Sequence, residues 1–117
     1  MIKIYHNPRC RKSREGLELL EKSGQEFEII KYLDNVPSVE ELKNVIQYLG
    51  IEPEALVRKN EAIWKENYKG KQLSDDEIIA AMSENPKLIE RPIVIKDGKA
   101  VIGRPAEKIS DLLSNNS

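Results

Sequence analysis

Towards its end the chain reads Pro92-Ile93-Val94-Ile95, then Asp97-Gly98, then Ala100-Val101-Ile102. Two short β-favouring runs around an Asp-Gly pair predict a hairpin, because the primed turn that matches strand twist needs positive φ at both central residues. An antiparallel pair is thereby set late in the chain. At the start, Ile2 and Ile4 alternate with Lys3 and Tyr5, which predicts a short half-buried strand running into the turn His6-Asn7-Pro8. Helical spacing follows from about Arg11 to Ser23 through Ser13, Gly16, Leu17 and Leu20, with Gly24 as the stop. Phe27 to Leu33 is again apolar and β-favouring. Strand, helix, strand implies a parallel pair joined by a right-handed crossover. With the late hairpin, this predicts an α/β chain with a mixed central sheet.

The middle reads as helical. Ser38 with Glu41, and Ser74 with Glu77, have the spacing of capping boxes. The first precedes Leu42, Val45, Ile46 and Leu49, one helical face that ends at Gly50; the second precedes Ile78, Ile79 and Met82 and is closed by Pro86. Pro53 to Lys59 and Ala62 to Tyr68 predict two weaker helical turns, and Trp64 and Tyr68, at i and i+4, read as a packed face. A last helix is expected from about Pro105 to Leu113, before a frayed tail of Ser114-Asn115-Asn116-Ser117. The order β-α-β, helical insertion, β-β-α is that of a thioredoxin-like fold. Residues 1–117 are expected to form one domain, because the insertion at about 34–87 has no strand and too few apolar residues to fold alone.

Composition narrows the function. Nineteen Lys and Arg against 20 Asp and Glu create no global field for a polyanion, so nucleic acid is not expected as a partner. No run approaches the ~20 apolar residues of a membrane span, and the first residues lack the apolar stretch of a signal peptide. The expectation is a cytoplasmic protein. One Cys cannot form an internal disulfide, and one Cys with one His falls short of a four-ligand zinc site, so no metal is expected.

Charge is concentrated in one place. His6, Arg9, Cys10, Arg11, Lys12 and Arg14 group five basic residues and the only thiol within nine positions. Cys10 falls where a turn delivers the chain to a helix start, whose unpaired N–H groups and dipole favour an anion such as a thiolate. A pKa lowered from ~8.5 to ~6.5 would raise the thiolate share at pH 7 from roughly 3% to roughly 75%. Cations in a first helical turn oppose the dipole. Pairing of Arg11 with Glu15 and of Arg14 with Glu18 offsets that by only tenths of a kcal/mol, so an anionic substrate near Cys10 explains the bias better.

The stretch Tyr5-His6-Asn7-Pro8-Arg9-Cys10-Arg11-Lys12-Ser13-Arg14 resembles the active-site segment of the glutaredoxin-dependent arsenate reductases, the ArsC family, typically Tyr-His-Asn-Pro-x-Cys-Gly-Thr-Ser-Arg. Leu56-Val57-Arg58-Lys59-Asn60, Leu88-Ile89-Glu90-Arg91-Pro92-Ile93-Val94 and Gly103-Arg104-Pro105 resemble the three family segments that each bring an arginine to the oxyanion. The resemblance runs from about Ile2 to Leu113. It implies that Cys10 attacks arsenate, that Arg58, Arg91 and Arg104 bind the oxyanion, and that His6 and Ser13 support the thiolate. Glutathione as co-substrate and then glutaredoxin would supply electrons, since no second cysteine can resolve an adduct. Pro92 is expected to follow a cis bond, as thioredoxin-like folds place a cis proline beside the cysteine. Arg11 and Lys12 stand where the family has Gly and Thr, which bears on substrate identity.

Two other readings compete. A phosphatase needs five residues between its Cys and Arg, whereas Cys10 and Arg14 are separated by three. A regulatory module docking on RNA polymerase shares this fold and often carries Cys-x-x-Cys; Ser13 at the second position removes that disulfide switch and leaves the enzyme ahead.

Overall fold

The computed structural model describes residues 2–114, so Asn115 to Ser117 of the tail expected to fray lie outside the described residues. The chain runs β1 (Ile2–Tyr5), α1 (Arg11–Lys22), β2 (Phe27–Ile30), α2 (Val39–Leu49), α3 (Ala62–Asn67), α4 (Asp75–Glu84), β3 (Ile93–Lys96), β4 (Lys99–Ile102) and α5 (Glu107–Ser114). Short 3-10 turns at Pro53–Leu56 and Pro86–Leu88 flank the middle helices. Backbone contacts divide it into two compact units, residues 2–35 with 91–114, and residues 36–90.

The first unit carries the sheet, in the order β2-β1-β3-β4. β1 is parallel to β2 and antiparallel to β3, and β3 is antiparallel to β4, which is the mixed sheet of a thioredoxin-like fold. Register sets Ile4 opposite Ile29 on one side and Val94 on the other, with Val94 opposite Val101. Ile2, Ile4 and Val94 then share a core with Leu20 of α1 and with Ile109 and Leu112 of α5. Because β1 is an interior strand, Tyr5 is buried as well, and the simple in-out alternation expected there holds only for Lys3. At the hairpin Asp97 and Gly98 both have positive φ, 51° and 77°, as a primed turn requires.

β2 stops at Ile30, short of the expected Leu33. Its carbonyl takes the N–H of His6 at 2.9 Å, the last rung beside β1, and the chain then turns with Asp34 N–H on the Lys31 carbonyl. α5 starts at Glu107, two residues later than expected, after turn bonds from Lys108 and Ile109 to the carbonyls of Pro105 and Ala106.

The 36–90 unit is built on α2 packed against α4, with Leu42, Val45, Ile46, Ile78, Ile79 and Met82 buried. Both caps form where the sequence sets them: Ser38 Oγ accepts from Glu41 N–H, and Ser74 with Glu77 makes the full reciprocal box. The helical turn expected over Pro53 to Lys59 ends at Leu56. Val57 instead pairs with Ile89 in an antiparallel bridge, flanked by bonds from Arg58 N–H to Leu88 and from Glu90 N–H to Leu56, so backbone pairing outcompetes the helix there. Trp64 and Tyr68 stack at 5.4 Å, with Trp64 buried. No helix among the described residues is long and apolar enough to cross a membrane.

Candidate active site

The loop from β1 to α1 is folded by its own polar groups. Cys10 N–H donates to the Asn7 carbonyl at 3.0 Å, and Arg9 N–H to Asn7 Oδ1 at 3.0 Å, an Asx turn that reverses the chain just before the helix. Ser13, one turn into α1 and fully buried, reaches back to this loop: its hydroxyl accepts from Asn7 N–H at 2.9 Å and lies 2.6 Å from His6 Nδ1. Arg14 donates to the Pro8 carbonyl at 3.0 Å. Cys10 is thus held as the N-cap residue of α1, with its carbonyl taking the N–H of Arg14.

The sulfur meets cations from the far end of the same unit. Arg104 Nη2 is 3.5 Å from Cys10 Sγ, while Arg104 Nε donates to the Arg91 carbonyl at 2.9 Å. Burial pushes the Cys10 thiol up, but the Ser13 N–H, the Arg91 guanidinium and the Lys12 N–H together favour the thiolate more and bring the pKa down to about 7. His6, 4% exposed, is held below its ordinary value by burial and by the charges of Lys31 and Arg14, against a smaller opposing effect of Ser13. Neutral imidazole is therefore the favoured form at neutral pH.

Arg91 and Arg104 are brought to this point by proline-marked turns. The bonds Arg91–Pro92 and Arg104–Pro105 are both cis. Gly103 N–H donates to the Pro92 carbonyl at 2.8 Å. Gly16 on α1 lets the helix approach: a Cβ there would lie 2.8 Å from Pro92 Cγ and 2.9 Å from Ile109 Cδ1. Gly103 is as tight, with 2.7 Å to Ile109 Cδ1 and 3.0 Å to Pro92 Cγ.

Six of the seven residues singled out from the sequence, His6, Cys10, Ser13, Arg91, Pro92 and Arg104, lie in the sheet-bearing unit. Arg58 lies in the 36–90 unit, with Nε 3.7 Å from Glu90 and 3.9 Å from Glu61 and with Nη1 buried and without a hydrogen-bond partner. The expected Arg11–Glu15 pair forms at 3.4 Å and is joined by Lys12 at 3.9 Å, whereas Arg14 turns to the loop carbonyl instead of Glu18. Asn7, Gly16 and Gly103 shape the loop and its approach to Pro92 without having been singled out for the site; the Asn-Pro turn dipeptide was the available signal for the first. Among the described residues no cluster of His, Cys, Asp and Glu could hold a metal ion.

Fold and site together define a thioredoxin-like protein with one thiol of lowered pKa at a helix start, flanked by guanidinium groups. The chain belongs to the ArsC family, whose model matches residues 5–112. It is 43% identical over 114 residues to an arsenate reductase of Neisseria meningitidis, covering 96% of this chain and 97% of that protein. It is 45% identical over 114 residues, 96% of each chain, to the Escherichia coli K12 protein YfgD, whose name states no activity. The solved structure of an arsenate reductase from Vibrio cholerae superposes with a TM-score of 0.90 at 54% identity, covering 94% of this chain and 95% of that one.

Proposed function

We propose that this protein is a cytoplasmic arsenate reductase in which Cys10 is the nucleophile. The observation that carries the reading is a thiol with a pKa of about 7 that has the Arg91 guanidinium on it and Arg104 Nη2 3.5 Å away. Guanidinium forks bind a tetrahedral oxyanion through paired charge-assisted hydrogen bonds, so the groups that favour the thiolate would also hold the substrate. Cys10 would form an S–As bond while one arsenate oxygen leaves as water, with no change in oxidation state. Reduction of As(V) to As(III) then takes two electrons, released as two thiols join in one disulfide. With no second cysteine in the chain, the thiols beyond Cys10 would come from glutathione and then glutaredoxin. His6 and Ser13 would keep the loop in place around the thiolate. Arg58 would be the third arginine; its support is the likeness of its segment to the family's and the unpartnered Nη1. The 36–90 unit is read as an insertion within one thioredoxin-like domain.

Intact-mass spectrometry with arsenate and glutathione tests this reading. An arsenate-dependent mass gain on Cys10, and turnover that needs glutaredoxin and is abolished by Cys10→Ser, are expected. Arg91→Ala and Arg104→Ala should each weaken turnover by on the order of 1.5–3 kcal/mol of transition-state binding, and the lysine variants by less. No adduct and no turnover with any such donor pair would sink the assignment and leave the RNA polymerase-binding module in its place.

A further inference from the structure

Asn7 sits buried in the loop between β1 and α1, 7% exposed, ahead of the thiol. Reversing the chain would need only the bond from Cys10 N–H to the Asn7 carbonyl, which any residue supplies. Asn7 does more. Its N–H donates to Ser13 Oγ at 2.9 Å, and the Ser13 N–H in turn serves the Cys10 sulfur. With Cys10 N–H on the Asn7 carbonyl at 3.0 Å, these bonds close a circuit through Asn7, Cys10 and Ser13 that includes the sulfur. The stretch left to vary is Pro8-Arg9, and Pro8 fixes its own φ. Asn7 Oδ1 takes the Arg9 N–H at 3.0 Å and fixes the rest.

The side-chain bond therefore acts on the thiol as well as on the turn. A thiolate gains from N–H donors only while they point at it, and a Cys10 free to swing would lose the Lys12 and Ser13 N–H groups for part of the time. We infer that Asn7 is a positioning residue for the reacting thiol: its Oδ1, by pinning Arg9, holds Cys10 Sγ against the N–H groups that open α1. Asparagine suits this place because it offers the acceptor without a charge. A carboxylate buried in the same loop would repel the thiolate. The consequence for turnover rests on the reductase reading, whereas the effect on the thiol itself does not.

The test is the alkylation rate of the native full chain against pH. Asn7→Ala should raise the Cys10 inflection by about one pH unit, cutting the thiolate share at pH 7 about fivefold. Asn7→Ser should recover part of this, since a hydroxyl accepts the same N–H two residues on, only more weakly. Ser23→Ala is the control at the far end of α1, where Ser23 Oγ accepts the Gln25 N–H at 3.3 Å in the same pattern. It should lower the urea midpoint and leave the inflection in place. In turnover at pH 7, Asn7→Ala should lower kcat about fivefold and change KM for arsenate by less than about twofold, because the arginines are untouched. An inflection unmoved in Asn7→Ala, or in Asn7→Ser should the alanine variant not fold, would overturn the assignment. So would a serine variant shifted as far as the alanine one, since the bond would then not be the cause. Failure of the reductase reading looks different: wild type turns over no arsenate while the inflection still moves with Asn7.

Discussion

At Cys10, burial raises the thiol pKa, and the N–H groups of Ser13 and Lys12 with the Arg91 guanidinium reverse it to a net value of about 7. About half the protein then carries a thiolate at pH 7, against roughly 3% for a free thiol near 8.5. The alkylation rate of native protein should thus inflect near pH 7, and Arg91→Ala should move the inflection upward, with Arg91→Lys between. An unshifted inflection in Arg91→Ala would remove that guanidinium from the account. The sign for stability follows from the lowered folded-state pKa. The thiolate's contribution is fully present above the unfolded thiol's value and is lost as pH falls through about 7. Urea midpoints of wild type and Cys10→Ser, compared from pH 6 to 9, should diverge as pH rises. His6 adds to the acid side, because its depressed pKa makes folding favour the neutral ring, a contribution lost as pH drops below ~6.5. Ser13→Ala would strip buried Asn7 N–H and His6 Nδ1 of their shared partner, at a cost of ~1–3 kcal/mol in urea unfolding.

Between elements, the site depends on how closely α1 can approach the Pro92 turn. In isolation Gly16→Ala would favour the helix by ~1 kcal/mol, but the new methyl would stand 2.8 Å from a rigid proline ring. Overpacking of this kind costs ~1–3 kcal/mol. The variant should be destabilised overall, and Ile109→Val should relieve only the part of the clash due to Ile109 Cδ1. A Gly16→Ala variant as stable as wild type in urea would show that the helix can shift. The late hairpin and both middle caps were legible in the sequence because each is a local bargain, two positive-φ residues or one serine with one glutamate. The Val57–Ile89 bridge was not, since its partners are 32 positions apart and nothing in Pro53-Glu54-Ala55-Leu56 tells it to stop being helical.

For the whole molecule, the reading as one domain makes a specific demand. Trp64, the only tryptophan, reports on the 36–90 unit, whereas Cys10 protection reports on the sheet-bearing unit. Trp64 fluorescence and Cys10 alkylation should give coincident urea transitions. Separated midpoints would mean that the 36–90 unit unfolds on its own.

The sequence alone determined the order of elements, the parallel opening and antiparallel close, and Cys10 at a helix start among cations, because periodicity, turn chemistry and local charge act over a few residues. It marked Arg91 and Arg104 only through their likeness to a family. Three things were left to the tertiary structure. β1 is an interior strand, which buries Tyr5. Ser13 ties His6 to Asn7. Arg104 comes within 3.5 Å of a sulfur 94 positions away. Each depends on strands pairing and helices packing at long range, where hydrogen bonds and close contacts between distant residues decide the outcome and no local pattern records them.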